Sequence, residues 1–482
     1  MWRGLLQKPI HISWLIAIGC LGFVLGVAIV LWYQNSSPIL LCDASTLLII
    51  GLWRPRVYCT VLCAVAGMLL GCWYGSLSMG ELDVYRPLFS SNITLIGSVK
   101  EDPSRSTKHQ LVLQLDRITI HEHKLVGTVW VSIIGDPDIK RGDNVKVSGV
   151  LEEGFGTFGG VIYTAKVITI ERPDPGDVGR RVRDWFASAI RRAIPEPQAS
   201  LGIGYLTGQK SALPTGLSDA LQIAGLSHVV VASGYNLTIL VRLARRLFMR
   251  ISKFVSALAS SMMIAGFIAM TGLSPSMSRA GLVSGLSLLS WYYGRRFHPF
   301  VLLPMAAAVT VAFQPSYAWG DVGWQLSFSA FAAVMMVGPL LQRFFFGEKE
   351  PGTIRQILGE TVAAHIVTVP IIVASFGVIS NVAIIANIMI VPLVPLAMLL
   401  TFISGIAALV VEPLASIIAL PATWLLSYMT STAQYLADLP WAQTEFTASW
   451  WMIVLYYTGL ITACVIMQHI SKFQLREVNI VT

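Results

Sequence analysis

Charged residues are scarce in this chain. Only 12% of its 482 residues are Asp, Glu, Lys or Arg, while 55% are hydrophobic and the mean hydropathy is +0.67. A soluble globular domain carries about 25% charged residues, so this composition excludes that class and indicates a polytopic membrane protein. The first apolar segment, 12–33, is longer than the apolar part of a signal peptide, and we interpret it as a membrane anchor.

Cysteine is also rare, and all six cysteines lie in apolar runs: Cys20, Cys42, Cys59, Cys63, Cys72 and Cys464. The polar insert between Glu81 and Leu226 has none, which argues against a disulfide framework. Cys59 and Cys63 share a helix face, but without a further ligand nearby we interpret them as small buried thiols.

Sequence motifs for hydrolysis are missing. There is no HxHxDH or HExxH zinc motif and no G-x-x-x-x-G-K-[ST] phosphate-binding loop. His121 and His123 can meet on one face of a strand, but a catalytic zinc needs a third ligand. Ser233 and His228 are offset by roughly 140° on a straight helix, and no G-x-S-x-G elbow surrounds the serine. We therefore expect no enzyme, metal site or cofactor, and keep an intramembrane hydrolase as the third alternative.

Long apolar windows of about 17 to 25 residues predict about twelve membrane spans. They lie at 12–33, 38–53, 57–79, 228–248, 254–273, 279–294, 298–314, 322–341, 358–377, 382–410, 413–436 and 450–470. Pro370, the pair Pro392 and Pro395, and the window around Gly281 and Gly285 predict broken or loosened helices, because their freed backbone groups need partners.

Basic residues favour one orientation in the membrane. With the N-terminus in the cytoplasm, sixteen Lys and Arg residues lie on that side: Arg3, Lys8, Arg54, Arg56, Arg242, Arg245, Arg246, Arg250, Lys253, Arg295, Arg296, Arg343, Lys349, Arg355, Lys472 and Arg476. The short connections on the other side carry none, apart from Arg279 at one edge. The positive-inside rule therefore predicts two cytoplasmic termini and an extracytoplasmic insert.

The insert after the third span predicts β structure. Alternating or β-branched runs lie at 93–99, 110–118, 126–134, 144–151 and 161–170. Five short strands predict a small barrel, and we favour the OB type over an SH3-like barrel. Because 86–172 has eleven basic and ten acidic residues, no basic field covers the whole domain.

A basic amphipathic segment follows the insert, and it contains Arg180, Arg181, Arg183, Arg191 and Arg192. Apolar residues such as Trp185 and Phe186 alternate with them at helical spacing. We interpret the segment as an interfacial helix with snorkelling arginines. Contact with DNA phosphates at a channel entrance is the alternative.

Polar residues also interrupt the apolar runs. A group occurs at His228, Ser233, Gly234, Tyr235 and Asn236, and others are Arg279, Asp321, Gln325 and Asn387. Polar groups in hydrocarbon are costly unless they find partners or water, so such residues indicate a functional interior. For Arg279 and Asp321, a salt bridge that fixes helix packing and a direct substrate role are equally supported.

In this order the motifs resemble the ComEC competence family, inner-membrane channels that pass single-stranded DNA into transformable bacteria. The matching pieces are Gly225-Leu-Ser-His-Val229, Ala232-Ser-Gly-Tyr-Asn-Leu237, Pro275 with Arg279-Ala280, Asp321-Val-Gly-Trp-Gln-Leu-Ser-Phe328, Phe376-Gly377, Ala386-Asn387 and Pro392. The resemblance covers nearly the full chain. The chain differs from the family pattern in two ways. Asn236 stands where the family usually has a histidine. The metallo-β-lactamase-like domain that many members carry after their last span is absent from this sequence.

The resemblance implies a bacterial cytoplasmic (inner) membrane channel that translocates single-stranded DNA during natural transformation. We expect the DNA path or its gate at the nine polar positions named above, and DNA reception at the five arginines. The implied partners are single-stranded DNA, the lipid bilayer, an extracytoplasmic DNA receptor, a separate nuclease and a cytoplasmic motor or DNA-binding protein, with a homo-oligomer left open. The main alternative is a secondary transporter or lipid-linked glycan exporter, because broken helices with midplane polar groups occur there too.

The expected domain order follows from these segments. N-terminal transmembrane helices occupy 1–80, the OB-like domain 81–175, an amphipathic helical linker 176–227 and the channel core 228–482.

Overall fold

A computed structural model describes residues 11–53, 56–105, 110–120, 123–135, 137–174, 176–209, 213–230, 234–272, 274–294, 298–347 and 352–471. The chain forms two compact units. The barrel unit comprises Met1–Arg180 and Ala244–Asp321, and the helical unit comprises Arg181–Leu243 and Val322–Thr482.

The elements follow in chain order. The helices are α1 (Ile12–Ile29), α2 (Pro38–Trp53), α3 (Cys59–Leu82), α4 (Val178–Ala193), α5 (Gln198–Thr207), α6 (Thr215–Ile223), α7 (Ser227–Val230), α8 (Gly234–Phe248), α9 (Lys253–Thr271), α10 (Pro275–Tyr292), α11 (Pro299–Phe313), α12 (Tyr317–Gly320), α13 (Val322–Phe346), α14 (Thr353–Phe376), α15 (Ala383–Ile390), α16 (Val394–Val410), α17 (Ala415–Ile418), α18 (Leu420–Ala437) and α19 (Trp450–Ser471). The strands are β1 (Asn92–Val99), β2 (Ser104–Arg105), β3 (Leu111–Ile120), β4 (His123–Leu125), β5 (Val129–Ile133), β6 (Asn144–Glu153), β7 (Gly160–Glu171), β8 (Val378–Ser380) and β9 (Gln443–Glu445).

Seven helices in the described part of the chain are long and apolar enough to cross a membrane, or eight if the bent pair Glu412–Ile418 and Leu420–Ala437 is one span. The seven are Ile12–Ile29, Cys59–Leu88, Lys253–Thr271, Val322–Phe346, Arg355–Phe376, Ala383–Val410 and Trp450–Ser471. The chain is therefore a mostly helical membrane protein. The predicted span at 228–248 contains two helices, α7 and α8, and the count of twelve stays a prediction.

The polar insert forms a closed five-stranded barrel, and all five predicted strands are present. Strand β1 pairs with β3 and β6, and β7 joins β6 to β5, which pairs with β3 and completes the circuit. The β5–β7 pair is parallel and the other pairs are antiparallel. This small barrel is compatible with the OB type. Its interior is filled by alternating residues such as Leu113, Leu115, Val129 and Val131, each 0% exposed, because successive side chains point to opposite faces of a strand.

Glycines hold α1 and α3 together in the barrel unit. A Cβ at Gly71 would lie 2.1 Å from the carbonyl oxygen of Phe23, and a Cβ at Gly67 would lie 2.0 Å from that of Gly19. From the other helix, a Cβ at Gly26 would lie 2.1 Å from the oxygen of Met68. The two backbones are thus in direct contact, as in small-xxx-small packing of membrane helices.

One buried arginine joins the barrel to a membrane helix of the same unit. Arg141, in the loop before β6, donates from Nη1 to the carbonyl oxygen of Met270 and from Nη2 to that of Ala269, both at 3.1 Å. Its Nε donates to Oδ2 of Asp177 at 2.6 Å. The last carbonyls of α9 have no partner within the helix, so Arg141 completes the hydrogen bonding of that helix end.

The helical unit is built around α5, whose residues from Ala199 to Thr207 are all buried. Its core gathers small and apolar side chains from α4 to α7 and from α15 to α18. A helix that is buried on every side usually lies in the middle of a bundle. α5 therefore provides a buried surface to which Asn236 of α8 is hydrogen-bonded.

Candidate functional site

Asn236 is fully buried in the first turns of α8. Its Nδ2 donates to the carbonyl oxygen of Tyr205 at 3.0 Å, close to the end of α5. This carbonyl belongs to the last turn of α5, where backbone acceptors need partners from outside the helix. The residue that replaces the usual family histidine therefore connects α8 to the central helix of the unit.

Gly225 lies in the turn between α6 and α7 and has a φ of +71°. A Cβ on this residue would lie 2.7 Å from the Cβ of Ala383, the first residue of α15. Beside this contact, the Ser380 hydroxyl donates to the carbonyl oxygen of Ile223 at 2.6 Å. The turn that leads to His228 is therefore docked against the start of the helix that carries Asn387, and only glycine fits both the space and the backbone conformation.

We expect Gly225→Ala to destabilise the protein. The left-handed conformation alone costs an L-residue about 1 to 2 kcal/mol, and the contact with Ala383 adds to this. Gly216→Ala is the matched control, because it lies in neighbouring α6 with nothing within 4 Å of its added Cβ. A thermal melt of the detergent-solubilised protein should show a lower midpoint for Gly225→Ala alone. Equal midpoints for the two variants would contradict the docking.

Asn387 lies in the eight-residue helix α15, with the side chain 8% exposed. Its Oδ1 is buried and has no hydrogen-bond partner among the described residues. A 3₁₀ turn at Val391–Leu393 separates α15 from α16, and Pro392 and Pro395 explain the break because neither offers a backbone N–H. The predicted interruption is present as a 3₁₀ turn within the candidate span Ala383–Val410, and Asn387 Oδ1 lies one turn before it.

The other members of the predicted 228–237 group are only partly described. His228 lies on the short helix α7. Gly234 and Tyr235 begin α8, and Ser233 lies outside the described residues. Gln325 is partly buried in the first turn of α13. The structure therefore neither brings Ser233 to His228 nor separates them.

Arg279 and Asp321 both belong to the barrel unit. Arg279 is 8% exposed in α10, and Asp321 follows α12. The carboxylate lies close enough for its charge to act on the guanidinium. This influence leaves both interpretations of the two residues open as predictions: helix packing and contact with a substrate.

Of the five arginines of α4, three form ion pairs within the protein and a fourth, Arg180, is buried. Arg180 and Arg183 are buried, at 5% and 2% exposed. Arg183 pairs with its neighbour Asp184, Arg191 with Glu196, and Arg192 with Glu412. On the outer face, Trp185 is 59% exposed. The exposed surface of α4 is thus apolar as well as basic, a pattern typical of an interfacial helix.

Sequence reasoning missed two features. The first is the buried helix α5, because no local pattern reveals that it contacts Asn236. The second is a basic and aromatic cluster in the barrel unit, in which Arg245 lies 5.5 Å and Lys253 5.7 Å from the ring centre of Trp291. Sequence reasoning used these basic residues only for orientation. The sequence did contain a signal for this cluster. The aromatic pair Trp291-Tyr292 ends the predicted 279–294 span on the cytoplasmic side, where Arg245 and Lys253 are also predicted to lie.

Metal ligands do not cluster in the part of the chain that the structure describes, where no group of three His, Cys, Asp or Glu could hold a metal ion. Of the His121 and His123 pair, only His123 lies in that part, on strand β4. The site is therefore described by its hydrogen-bonding groups alone.

The comparison with protein families supplies the identification. Residues 205–469, more than half of the chain, match the family model for competence proteins. The chain belongs to the competence protein family. The matched range begins at Tyr205, whose carbonyl binds Asn236, and it includes α15 with Asn387. No curated protein and no solved structure matches the chain.

Membership confirms the resemblance inferred from the motifs. This competence protein is a membrane protein with a role in DNA uptake during competence. The matched range covers the helical unit from α5 onward together with α9 to α12 of the barrel unit.

Proposed function

We propose that this competence protein is the inner-membrane channel through which single-stranded DNA reaches the cytoplasm during natural transformation. The observation that carries the proposal is the family match over residues 205–469. In this proposal, 228–482 forms the channel core. The 81–175 barrel receives DNA outside the cell and both termini lie in the cytoplasm. The transporter and hydrolase alternatives gain no support from the family match.

Polar groups inside the helical unit support this proposal. A strand that crosses a bilayer needs hydrogen-bond donors and acceptors along a wet path, but no site that binds it tightly. Asn387 Oδ1 and Thr401 Oγ1 are buried in apolar surroundings and have no hydrogen-bond partner among the described residues. An unsatisfied buried polar group costs about 1 to 3 kcal/mol, so retention of these groups favours a role other than packing.

Other proteins complete the proposed pathway. The sequence carries no phosphate-binding loop of the G-x-x-x-x-G-K-[ST] type, so we assign energy supply to a cytoplasmic motor or DNA-binding protein. A separate nuclease would degrade the second strand, and an extracytoplasmic receptor would deliver DNA to the barrel.

The proposal is tested by DNA uptake. Deletion of the gene should abolish transformation, and the full chain should restore it. In proteoliposomes that contain the purified chain, fluorescent single-stranded DNA should become protected from external nuclease. Unchanged transformation after deletion would refute a role in uptake altogether. Restored transformation without DNA protection in proteoliposomes would mean that this chain alone does not form the path.

A substitution at Asn387 distinguishes a role of its amide in the DNA path from a role in helix packing. We expect Asn387→Leu to leave the protein as stable as the wild type or slightly more stable, because it removes a buried acceptor without a partner. Uptake should nevertheless fall at least tenfold if the amide lines the path, a loss equivalent to about 1.4 kcal/mol. Ser404→Ala is the control, since the buried Ser404 hydroxyl already donates to the carbonyl oxygen of Leu400 at 2.8 Å and its loss should leave uptake unchanged. Unaltered uptake with Asn387→Leu would exclude Asn387 from the path.

A further inference from the structure

Four aromatic residues form a cluster on the barrel surface, which we name the barrel aromatic cluster: Trp130, Phe155, Phe158 and Tyr163. The ring centre of Trp130 lies 5.6 Å from that of Tyr163 and 5.9 Å from that of Phe155. Phe155 and Phe158 are 5.4 Å apart. Trp130 lies on β5 between two inward-pointing valines, so its ring points outward. Phe155 is 50% and Tyr163 48% exposed, and the cluster is thus an apolar surface on the outside of the barrel.

The loop that carries Phe155 and Phe158 contacts two other segments of the barrel unit. A Cβ on Gly156 would lie 2.8 Å from the carbonyl oxygen of Gly320, which lies two residues before the candidate span Val322–Phe346. A Cβ on Gly159 would lie 2.9 Å from the ring of Tyr85, within the candidate span Cys59–Leu88 and near its end. Both contacted residues lie within a few residues of the end of a candidate span, which favours a position of this loop near the membrane surface.

The charges around the cluster favour lipid over nucleic acid. Residues 152–163 contain no Lys or Arg and begin with Glu152 and Glu153, both exposed. Proteins that stack the bases of single strands combine aromatic rings with a positively charged groove. This sequence segment offers the rings without the positive charge. Tryptophan and tyrosine are instead enriched in the aromatic belt at a membrane surface, where their amphipathic rings lie at headgroup level.

We infer that the barrel aromatic cluster inserts into the interfacial region of the bilayer and anchors the barrel against the lipid. The rings of Phe155 and Phe158 enter the acyl boundary, while the hydroxyl of Tyr163 and the indole N–H of Trp130 remain at headgroup level. The attraction comes from burial of apolar area rather than from charge, because the two glutamates would repel anionic headgroups. This inference requires only that the chain is a membrane protein, and it holds whether or not the chain conducts DNA.

Site-specific photocrosslinking of the full chain tests this anchor. The photoreactive residue p-benzoylphenylalanine replaces Phe155 in one variant and Tyr163 in a second. It replaces Ile134 in the control, an apolar residue that is 70% exposed and follows β5 at the end away from Trp130. Each protein is placed in nanodiscs of phosphatidylethanolamine and phosphatidylglycerol together with a thymidine oligonucleotide. Adducts are identified by mass spectrometry after irradiation.

We expect several-fold more lipid adduct at positions 155 and 163 than at 134, with no increase at lower salt or at a higher fraction of phosphatidylglycerol. Oligonucleotide adducts that decrease with salt would identify a base-stacking surface instead, because DNA binding releases counterions. Lipid adducts no more frequent than at position 134 would also overturn the inference. The variants at Phe155 and Tyr163 keep an aromatic side chain. For all three variants, a thermal melt equal to that of the wild type shows that the barrel has remained folded.

Discussion

Gly71→Ala should separate α1 from α3 and sharply reduce the amount of protein in the membrane. Its added Cβ would lie 2.1 Å from the backbone oxygen of Phe23, and no rotation of a side chain can relieve a contact with backbone. Overpacking in a close-packed interior costs about 1 to 3 kcal/mol, and we expect the upper end here because one whole helix must move. The measurement is the thermal midpoint of the purified protein, together with its abundance in membranes.

Gly80→Ala is the control on the same helix. It lies in α3 beyond the contact with α1, and its added Cβ has nothing within 4 Å. Alanine favours a helix over glycine by roughly 1 kcal/mol, so this variant should be as stable as the wild type or more stable. If Gly71→Ala behaved like Gly80→Ala, the two helices would not be in backbone contact.

Arg141→Ala should detach the barrel from the end of α9. The substitution removes the Arg141 donors from the carbonyl oxygens of Ala269 and Met270 and leaves the carboxylate of Asp177 only the Arg180 backbone N–H. The Arg141 side chain is 5% exposed, and removal of one partner from a buried ion pair costs about 3 to 5 kcal/mol. We expect a destabilisation near the lower end of this range, because the Asp177 side chain is 24% exposed.

The measurement for Arg141→Ala is protease cleavage and amide hydrogen exchange at 137–143 and 269–272, both of which should accelerate. Arg86→Ala is the control. Arg86 forms an ion pair with Asp83 in which the arginine side chain is 70% and the aspartate side chain 48% exposed. Such surface pairs contribute at most about 1 kcal/mol to stability. Equal protection in the two variants would show that Arg141 does not hold the barrel in place.

The ion pair between Arg141 and Asp177 predicts that the attachment of the barrel to α9 depends on pH. Burial by itself would raise the pKa of Asp177, but hydrogen bonds from Arg141 and from the Arg180 backbone outweigh burial and lower this pKa below its ordinary value of 3.8. A depressed carboxyl pKa contributes stability above the unfolded value and loses it as the pH falls through the folded value. Protection of 269–272 should therefore be constant at neutral pH and disappear only in acid below pH 3.8. In Asp177→Asn this acid step should be absent.

Several elements of the fold were predictable because their signals are local. The barrel strands show an apolar residue at every second position, and Pro392 and Pro395 mark the break between α15 and α16 wherever the helices pack. The span count was less certain. Windows such as 228–248 combine an apolar half with arginines, and hydropathy alone does not show that α7 and α8 are separate helices.

The sequence predicted which residues belong to the candidate site better than it predicted what each residue contacts. Asn236 and Asn387 are polar residues in apolar runs, and both are buried as such residues must be. Their partners differ, however. Asn236 binds the carbonyl of Tyr205, 31 positions earlier, while Asn387 Oδ1 has no partner among the described residues. No periodicity distinguishes these cases, because the difference depends on which helix packs against each residue.

By itself, the sequence determined that this protein lies in a membrane and carries a small β-barrel insert, and its motifs indicated the competence family. Hydropathy, alternation and motif order belong to contiguous residues, which is why they can be read without a structure. Only the tertiary structure decided that Arg141 joins barrel to helix, across 129 positions to Met270, and that glycines bring α1 and α3 into backbone contact. It also showed which arginines of α4 are paired. Such contacts arise when distant segments pack, and each depends on the exact space that its neighbours leave.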